Sequence, residues 1–458
     1  MQLQSTNPAT AEIIKEFDSA TKEEVQNSIK RAKAVQKNWA KLDKKERIAI
    51  ILKLKEVLES NKNELFSIVQ QEAGYPPEET EAVFLDILAG IDYYCERYQK
   101  IKNINFPLSD ETQPETTAEV QLIPQGVVGH IGIWNYPFWQ TMITAIPALL
   151  TGNTVVYKPS EYVSLTGLKI AEFIHQAGIP EDVYIPVLGG SDVGRQIVSS
   201  DIDAVVFTGG IDVGREIIKN AGIKPLILEL SGNDAAIICS DCDLKQTVRG
   251  IAYGAFLHSG QCCIRIKRVY VVKNIADNFI KEFVAYSKKL KMGEQITPII
   301  REDARKNVHR VVEDAVSQGA ELLLGGNIPK GNGFYYPATI LQIKDDNLEV
   351  VKKETFGPVC SIRVVENEDE AIQLANSTEH GLGGTVWTQN YKKGKDIAEK
   401  LETGTVWIND SNIPLVCGEY TQGMKSSSIA SSQERIRMFL KKRNIISFNS
   451  NKCRDWWF

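Results

Sequence analysis

The sequence has no apolar run approaching the roughly 20 residues that a membrane helix requires. Its first eight residues are polar and lack the basic-then-apolar pattern of a secretion signal. It also lacks an excess of positive charge: the formal net charge is -5 over 458 residues, which gives no reason to expect a nucleic-acid partner. We therefore expect a cytoplasmic protein with neither membrane nor nucleic acid as a partner.

The eight cysteines follow no repeating spacing. This pattern argues against a disulfide scaffold and for free thiols in a reducing compartment. The single Cys-x-x-Cys pair, Cys239 and Cys242, has no second pair and no nearby histidine, so it is a poor zinc frame. We expect no metal site.

The length and the hydrophobic pattern predict an α/β protein of two or three domains. Residues 21–72 have helical periodicity after a capping-box pattern at Thr21-Lys-Glu-Glu24, and residues 81–101 predict another helix. Residues 103–118 are polar and turn-forming, so we expect a loop or an arm there.

From Ala118 onward, short β-branched runs alternate with helical segments, which is typical of parallel βαβ units in a doubly wound sheet. The first set of predicted strands is 127–133, 154–157, 183–187, 204–207 and 226–230, with helices at 165–177 and 193–198. The second set, after Gly232, comprises strands at 268–272, 321–324, 359–365 and 385–388 and helices at 247–257, 276–290 and 308–318.

Two adjacent cysteines, Cys262 and Cys263, follow a Gly-Gln pair and precede several basic residues. Nearby positive charge and backbone N–H groups favour the thiolate, the nucleophilic form of cysteine. Gly260 allows a tight bend that can point successive N–H groups at one spot. Paired cysteines are more often small buried hydrophobes, so this stretch alone leaves both interpretations open.

Other local signals share this chemical logic. Asn135 follows a predicted strand and could donate a hydrogen bond to an oxyanion. Glu229 ends a β-run between leucines, where partial burial raises a carboxyl pKa toward that of a general base. The turn 207–210 is rich in glycine and suits a pyrophosphate, and the segment 158–161 offers one cation and one carboxylate to a ribose or phosphate. Each could equally be a cap, a surface charge or a plain turn.

Taken together and in order, these segments resemble the aldehyde dehydrogenase superfamily, from Asn7 to about Asn409. The motifs that carry the resemblance are Pro124-Gln-Gly-Val-Val-Gly129, Trp134-Asn-Tyr-Pro-Phe138, Lys158-Pro-Ser-Glu161, Phe207-Thr-Gly-Gly210, Leu228-Glu-Leu-Ser-Gly232, Gly260-Gln-Cys-Cys263 and Glu354-Thr-Phe-Gly-Pro358.

The resemblance implies a Rossmann-type dinucleotide-binding domain, an α/β catalytic domain and a small β oligomerisation arm. We expect the first from residues 1–102 and 124–230 with 418–440, the second from 231–417, and the arm from 103–123 and 441–458. A homodimer or homotetramer is the assembly expected from the family, and the apolar C-terminal tail fits a packed interface.

The resemblance also implies the residue roles. Cys263 would be the nucleophile, Asn135 with the backbone N–H of Cys263 the oxyanion hole, and Glu229 the base that activates water. The expected cofactor-binding residues are Ile131, Trp134, Lys158, Ser160, Glu161, Phe207, Gly209, Gly210, Leu230, Glu354 and Phe356. The expected substrate-tunnel residues are Tyr136, Trp139, Ile143 and Cys262.

The implied reaction is the oxidation of a small aldehyde to its acid with NAD(P)+, through a thiohemiacetal and a thioacyl-enzyme on the nucleophilic cysteine. We expect NAD as the cofactor because Glu161 would accept the 2′-hydroxyl and repel a 2′-phosphate, although NADP stays possible since Lys158 is nearby. The tunnel residues favour aliphatic or aromatic aldehydes. Succinate semialdehyde remains an alternative, but no arginine is identified for its carboxylate.

Two alternative functions are less consistent with these residues. A CoA-acylating dehydrogenase would not need a water-activating glutamate, so Glu229 argues against it. An inactive structural relative is disfavoured because Cys263, Asn135 and Glu229 are all present.

One segment departs from the family pattern. Around residues 418–434 the family carries glycines and a Gly-Arg-Glu step, whereas this chain has Gln422, Ser428 and Ala430 at positions expected to be glycine. We expect a reshaped loop beside the tunnel.

Overall fold

A computed structural model describes residues 2–107, 115–412, 423–429, 434–451, 453–454 and 456–457. These residues form four sheets, of two, seven, six and three strands. The strands are β1 Gln2–Thr6, β2 Ile13–Asp18, β3 Ile104–Pro107, β4 Thr116–Pro124, β5 Val127–Ile131, β6 Thr154–Lys158, β7 Tyr184–Pro186, β8 Ala204–Thr208, β9 Leu226–Glu229, β10 Asp234–Ile238, β11 Ile266–Val272, β12 Glu321–Leu324, β13 Thr339–Ile343, β14 Val359–Val365, β15 Gly383–Trp387, β16 Thr405–Ile408, β17 Ser428–Ile429 and β18 Leu440–Phe448.

The helices lie mainly on the faces of the two large sheets. They are α1 Lys22–Lys41, α2 Lys44–Ser60, α3 Lys62–Ala73, α4 Pro77–Lys100, α5 Pro137–Leu150, α6 Ser164–Gln176, α7 Ser191–Ser199, α8 Ile211–Asn220, α9 Leu244–Phe256, α10 Lys273–Ser287, α11 Glu302–Ser317, α12 Glu349–Lys352, α13 Glu368–Ala375, α14 Tyr391–Ala398 and α15 Arg435–Met438. Within the described residues, no helix combines the length and the apolarity that crossing a membrane demands.

The first hundred residues are helical where predicted, but they form separate helices. Thr21 and Glu24 make the predicted capping box at the start of α1. A second capping box, between Asp43 and Glu46, starts α2, and this break inside residues 21–72 was not predicted. α3 ends at Gly74, whose φ of 67° is the left-handed conformation that favours glycine.

The six-stranded sheet has the order β17-β9-β8-β5-β6-β7 and is parallel except for β17. Each strand of the first predicted set falls on one of its strands. Consecutive residues of β5 point to opposite faces: Val128 packs with α2 to α6, and Val127 packs with α1, α7 and α8. Both faces are covered by helices, which confirms the doubly wound α/β fold.

The seven-stranded sheet has the order β12-β13-β14-β11-β10-β15-β16 and is parallel except for β12. One face of β10 packs against α9 and α10, and the other packs against α13 and α14. The predicted second set of strands is confirmed in β11, β12, β14 and β15. β10, β13 and β16 were not predicted.

A three-stranded antiparallel sheet, β18-β4-β3, takes up the region predicted as a loop or arm. The polar residues around 103–118 form strands because β4 pairs along its whole length with β18, from Thr116 opposite Phe448 to Pro124 opposite Leu440. Residues 108–114, between β3 and β4, lie outside the described residues. The sheet exposes apolar side chains, including Phe106 and Ile446.

Candidate active site

A cavity of about 610 Å³ lies at the carboxyl ends of β5, β6, β8 and β9 and reaches the segments that precede β11 and β14. Ligands bind at this edge of a doubly wound sheet. The structure brings into its wall two of the predicted catalytic residues, Asn135 and Cys263, and all of the predicted cofactor residues, which are Ile131, Trp134, Lys158, Ser160, Glu161, Phe207, Gly209, Gly210, Leu230, Glu354 and Phe356.

A tight turn after α9 presents the two cysteines. His258, Ser259 and Gly260 have successive positive φ values of 48°, 52° and 71°. Only glycine fits the third position, because a Cβ on Gly260 would lie 2.1 Å from the carbonyl oxygen of Gly357. This close approach packs the turn against the segment that carries Glu354 and Phe356.

The two adjacent thiols influence each other, and they differ in access. Hydrogen bonding between the two side chains lowers the pKa of the Cys262 thiol and raises that of the Cys263 thiol. Either thiol can donate to the other, and the sulfur that accepts is the one whose thiolate is stabilised. Access distinguishes them: Cys262 is buried and lies outside the cavity wall, whereas Cys263 lies in it.

Lys267 links the cysteine turn to Glu354. Its buried ammonium group donates to the carbonyl oxygen of Cys263 at 2.8 Å and forms an ion pair with Glu354 at 3.0 Å. The positive charge of Lys267 contributes to the lowered pKa of the Cys262 thiol and opposes the rise in the pKa of Cys263. The sequence indicated that basic residues near the cysteines favour the thiolate. It did not indicate that Lys267 also forms an ion pair with Glu354.

Asn135 is held in place from two sides. Its Nδ2 donates to the backbone carbonyl of Gln261 at 2.9 Å, and its backbone carbonyl accepts a hydrogen bond from the Tyr75 hydroxyl at 2.5 Å. An amide nitrogen carries two hydrogens, so Nδ2 retains the capacity to donate to a second acceptor. The geometry suits a preorganised oxyanion donor.

Glu229 ends β9 and is buried, but it does not lie in the cavity wall. Burial raises the pKa of its carboxyl to about 7, and Arg435 opposes that rise. The Arg435 Nη2 atom lies 3.3 Å from Glu229 Oε1, with both side chains buried. Sequence reasoning missed Arg435, because a lone arginine after the divergent segment carries no local signal.

The divergent segment packs beside this carboxylate. Ser428, one of the positions expected to be glycine, pairs with Glu229 in the antiparallel bridge of β17 with β9. Ser427 accepts a hydrogen bond from the backbone N–H of Leu230 at 2.8 Å and donates its hydroxyl to Ser231 at 2.7 Å. Gln422 and Ala430 lie outside the described residues.

The predicted cofactor residues supply both charged groups and aromatic rings. The buried Lys158 ammonium donates to the carbonyls of Pro159 and Gly189, each at 2.8 Å, and lies 3.5 Å from Glu161 Oε2. Burial lowers the pKa of Lys158. Also in the cavity wall, the Trp134 and Phe356 rings meet edge to face, with their centroids 5.4 Å apart.

The predicted tunnel residues lie outside this cavity wall. Tyr136 donates its hydroxyl to Glu79 at 2.5 Å, and the Trp139 indole donates to Asp86 at 2.6 Å. Ile143, in α5, is 1% exposed and packs in the apolar core that α2 to α6 form. Sequence reasoning did not identify Glu79, whose carboxyl pKa burial raises to about 8.

Comparison with known proteins is consistent with this geometry. The model of a family described as the aldehyde dehydrogenase family matches residues 1–444. The chain is 34% identical over 388 residues to a betaine aldehyde dehydrogenase of Bacillus subtilis, covering 81% of this chain and 78% of that protein. It is 32% identical over 418 residues to an aldehyde dehydrogenase of Paenarthrobacter nicotinovorans, covering 89% and 91%.

Solved structures show the same fold. A betaine aldehyde dehydrogenase of Staphylococcus aureus in complex with NAD+ superposes with a TM-score of 0.95 at 29% identity, covering 100% of this chain and 93% of that one. A glyceraldehyde-3-phosphate dehydrogenase of Methanocaldococcus jannaschii in complex with NADP gives a TM-score of 0.90 at 30% identity, covering 97% and 98%.

Proposed function

Because the chain belongs to the aldehyde dehydrogenase family, we propose that it oxidises a small aldehyde to the carboxylic acid through a covalent intermediate on Cys263. The enzyme is an NAD(P)-dependent oxidoreductase of that family. The mechanistic proposal rests on one observation. Cys263 and Asn135 line the same cavity as the residues expected to hold the cofactor.

The cavity residues fit a dinucleotide. The cavity volume is within the usual range for such ligands. Lys158 places a buried ammonium in its wall, and the longest of its three hydrogen bonds, the 3.5 Å one to Glu161, is the one that a phosphate or ribose oxygen could replace. α8 begins at the cavity, with Gly210 as its N-cap, so backbone N–H groups and the helix dipole favour a pyrophosphate there.

NAD is the preferred cofactor in this proposal. Glu161 lines the same cavity as Lys158, and its carboxylate suits a ribose 2′-hydroxyl better than a 2′-phosphate, which it would repel. When bound, the nicotinamide supplies the hydride acceptor for the oxidation.

The acylation half of the proposed reaction depends on Cys263 and Asn135. The Cys263 thiolate attacks the aldehyde carbon, forming a C–S bond and placing negative charge on the former carbonyl oxygen. The Asn135 amide and the Cys263 backbone N–H donate hydrogen bonds to that oxyanion. Loss of hydride from the carbon then leaves a thioester on Cys263.

The hydrolysis half depends on Glu229. Its carboxylate takes a proton from water as the water oxygen bonds to the thioester carbon, and the C–S bond then breaks to release the acid and the Cys263 thiolate. A pKa of about 7 suits a general base at neutral pH. The presence of this buried carboxylate favours hydrolysis over transfer of the acyl group to CoA.

The predicted tunnel wall is aromatic. Tyr136 and Trp139 are each hydrogen-bonded to a carboxyl group, and no lysine or arginine of the described chain lies within 4.0 Å of Glu79. Because burial raises the pKa of Glu79 to about 8, this carboxyl is largely protonated at neutral pH. The absence of a cation beside it gives an anionic aldehyde such as succinate semialdehyde no partner there, which favours uncharged aldehydes. Betaine aldehyde is a substrate to test first because several relatives are named after it.

We further propose assembly as a homodimer or homotetramer through the β18-β4-β3 arm. The arm exposes several large apolar side chains, namely Ile104, Phe106, Ile445, Ile446, Trp456 and Trp457. An exposed patch of this kind marks an interaction surface. Free thiols among the described cysteines fit a reducing, cytoplasmic location.

A panel of aldehydes tests this function. Betaine aldehyde, lactaldehyde, succinate semialdehyde and short aliphatic and aromatic aldehydes are assayed with NAD and with NADP, using the native chain and the Cys263→Ala variant. We expect NAD reduction by the native chain only. Equal turnover by Cys263→Ala would overturn the proposal.

A further inference from the structure

We propose that Arg435 is a positioning residue that keeps the Glu229 carboxylate ionised and oriented for hydrolysis of the acyl-enzyme. The inference rests on the proposed function, and it adds a residue that acts on the catalytic base from outside the cavity. The observation behind it is the buried contact of Arg435 Nη2 with Glu229 Oε1 at 3.3 Å.

The backbone around Arg435 is firmly anchored, so its side chain has a fixed origin. In α15, Ile436 and Met438 are buried in the core formed by α2 to α6. The residue before the helix, Glu434, forms ion pairs with Arg97 of α4 and with Arg437. With the backbone fixed, only the rotamers of the Arg435 side chain have to be ordered to hold the cation against the carboxylate.

The charges around Glu229 give Arg435 its effect. Burial disfavours the ionised carboxylate, and Arg435 favours it. His130 of β5 is also close to Arg435, but burial lowers its pKa to about 3, so it stays neutral in the working range. Ser428 of β17 and Thr208 of β8, which flank Glu229 across the sheet, do not titrate. Within the described residues, Arg435 is therefore the charged group that contacts the Glu229 carboxylate.

The contact matters for one half-reaction. In hydrolysis the proton of the attacking water goes to Glu229, the water oxygen bonds to the acyl carbon, and the Cys263 sulfur leaves as the thiolate. Only an ionised Glu229 can accept that proton. Attack of Cys263 on a substrate uses neither Glu229 nor Arg435, so loss of Arg435 should slow hydrolysis and leave acylation unchanged.

The experiment isolates hydrolysis with p-nitrophenyl acetate, an activated ester that acetylates a cysteine without a cofactor. After excess ester is removed, loss of the acetyl group from Cys263 is followed by intact-mass spectrometry between pH 5 and pH 9. The variants are Arg435→Met, Arg435→Gln and Arg435→Lys. Arg437→Met is the matched control, because it removes a nearby, more exposed cation that contacts Glu434 instead.

We expect the acid limb of the hydrolysis rate to move up by about one pH unit in Arg435→Met and Arg435→Gln, which is about tenfold slower hydrolysis below the limb. Acetylation rates should match the native chain, Arg435→Lys should retain most of the native profile, and Arg437→Met should be unchanged. In a Glu229→Gln background, Arg435→Met should have no further effect.

An unmoved acid limb in a folded Arg435→Met or Arg435→Gln variant would overturn the inference, as would an equal shift in Arg437→Met. A different result would count against the proposed function itself: a native chain that is not acetylated at Cys263, or whose acetyl group is lost at the same rate after Glu229→Gln.

Discussion

The Asn135 amide donates a hydrogen bond to the backbone carbonyl of Gln261, two residues before Cys263, at 2.9 Å. This bond joins the segment after β5, in the six-stranded sheet, to the turn that precedes β11 in the seven-stranded sheet. The proposed oxyanion donor and the proposed nucleophile are thus positioned by one shared contact, although they are far apart in the sequence.

Replacing Asn135 with alanine tests this contact. We expect kcat to fall about 10²- to 10³-fold, because one oxyanion donor is lost. The rate of thiol labelling at Cys263 should change much less, since the amide stabilises a charge that develops only on a bound substrate. Steady-state kinetics and labelling with iodoacetamide measure the two effects, and a normal kcat in a folded variant would contradict the assigned role.

Replacing Glu229 with glutamine tests the second half-reaction. The neutral amide cannot accept a proton from water, so one equivalent of NADH should form in a burst and turnover should then nearly stop. Stopped-flow absorbance of NADH measures the burst, and sustained native turnover would contradict the assignment of Glu229 as the base.

The native enzyme should also show a pH dependence of hydrolysis. The pKa of Glu229 is raised to about 7, so the base is ionised above that pH and protonated below it. Hydrolysis should therefore fall about tenfold for each pH unit below 7 and level off above it. In Glu229→Gln this limb should be absent, and its persistence there would assign the limb to another group.

Much of this fold was predictable because its strands are apolar and β-branched and its turns are rich in glycine. β10 was missed because it is short and includes two alanines, which have weak strand preference, and its place between β11 and β15 depends on distant pairing. α5 was not predicted either; it contains Pro147, which disfavours a helix interior, and tertiary burial overrides that preference.

The site was predictable as a set of motifs, but its partner residues were not. The motifs identified residues that the structure gathers in one cavity wall. Arg435 and Lys267 were missed as partners because each acts on a residue brought close only by folding: Arg435 on Glu229, and Lys267 on Glu354. A local pattern carries no information about such contacts.

Gly260 provides a test of the turn that presents the thiols. Gly260→Ala should lower stability and nearly abolish activity, because the new methyl group would overlap the Gly357 carbonyl oxygen as well as strain the backbone. Gly222→Ala is the matched control: its φ of 68° imposes the same strain, but nothing lies within 4 Å of its Cβ position. Thermal unfolding and kcat measure the difference, and equal effects in the two variants would contradict the steric account.

The cofactor preference depends on Glu161. The native chain should have a higher kcat/KM for NAD than for NADP, and Glu161→Gln should reduce that ratio by about tenfold or more, since it removes the charge that repels a 2′-phosphate. Glu172→Gln, which removes an exposed carboxylate on α6, should leave the ratio unchanged. A native preference for NADP would contradict this part of the account.

The most direct test of the account is to identify the sulfur that carries the acyl group. The Glu229→Gln enzyme is mixed with NAD and an aldehyde, quenched in acid during the burst, digested and analysed by mass spectrometry, with Cys263→Ala and Cys262→Ala run alongside. The account predicts an acyl group on Cys263 and none on Cys262, full trapping in Cys262→Ala and no trapping in Cys263→Ala. An acyl group carried by Cys262, or a Cys263→Ala enzyme that still oxidises the aldehyde, would contradict it.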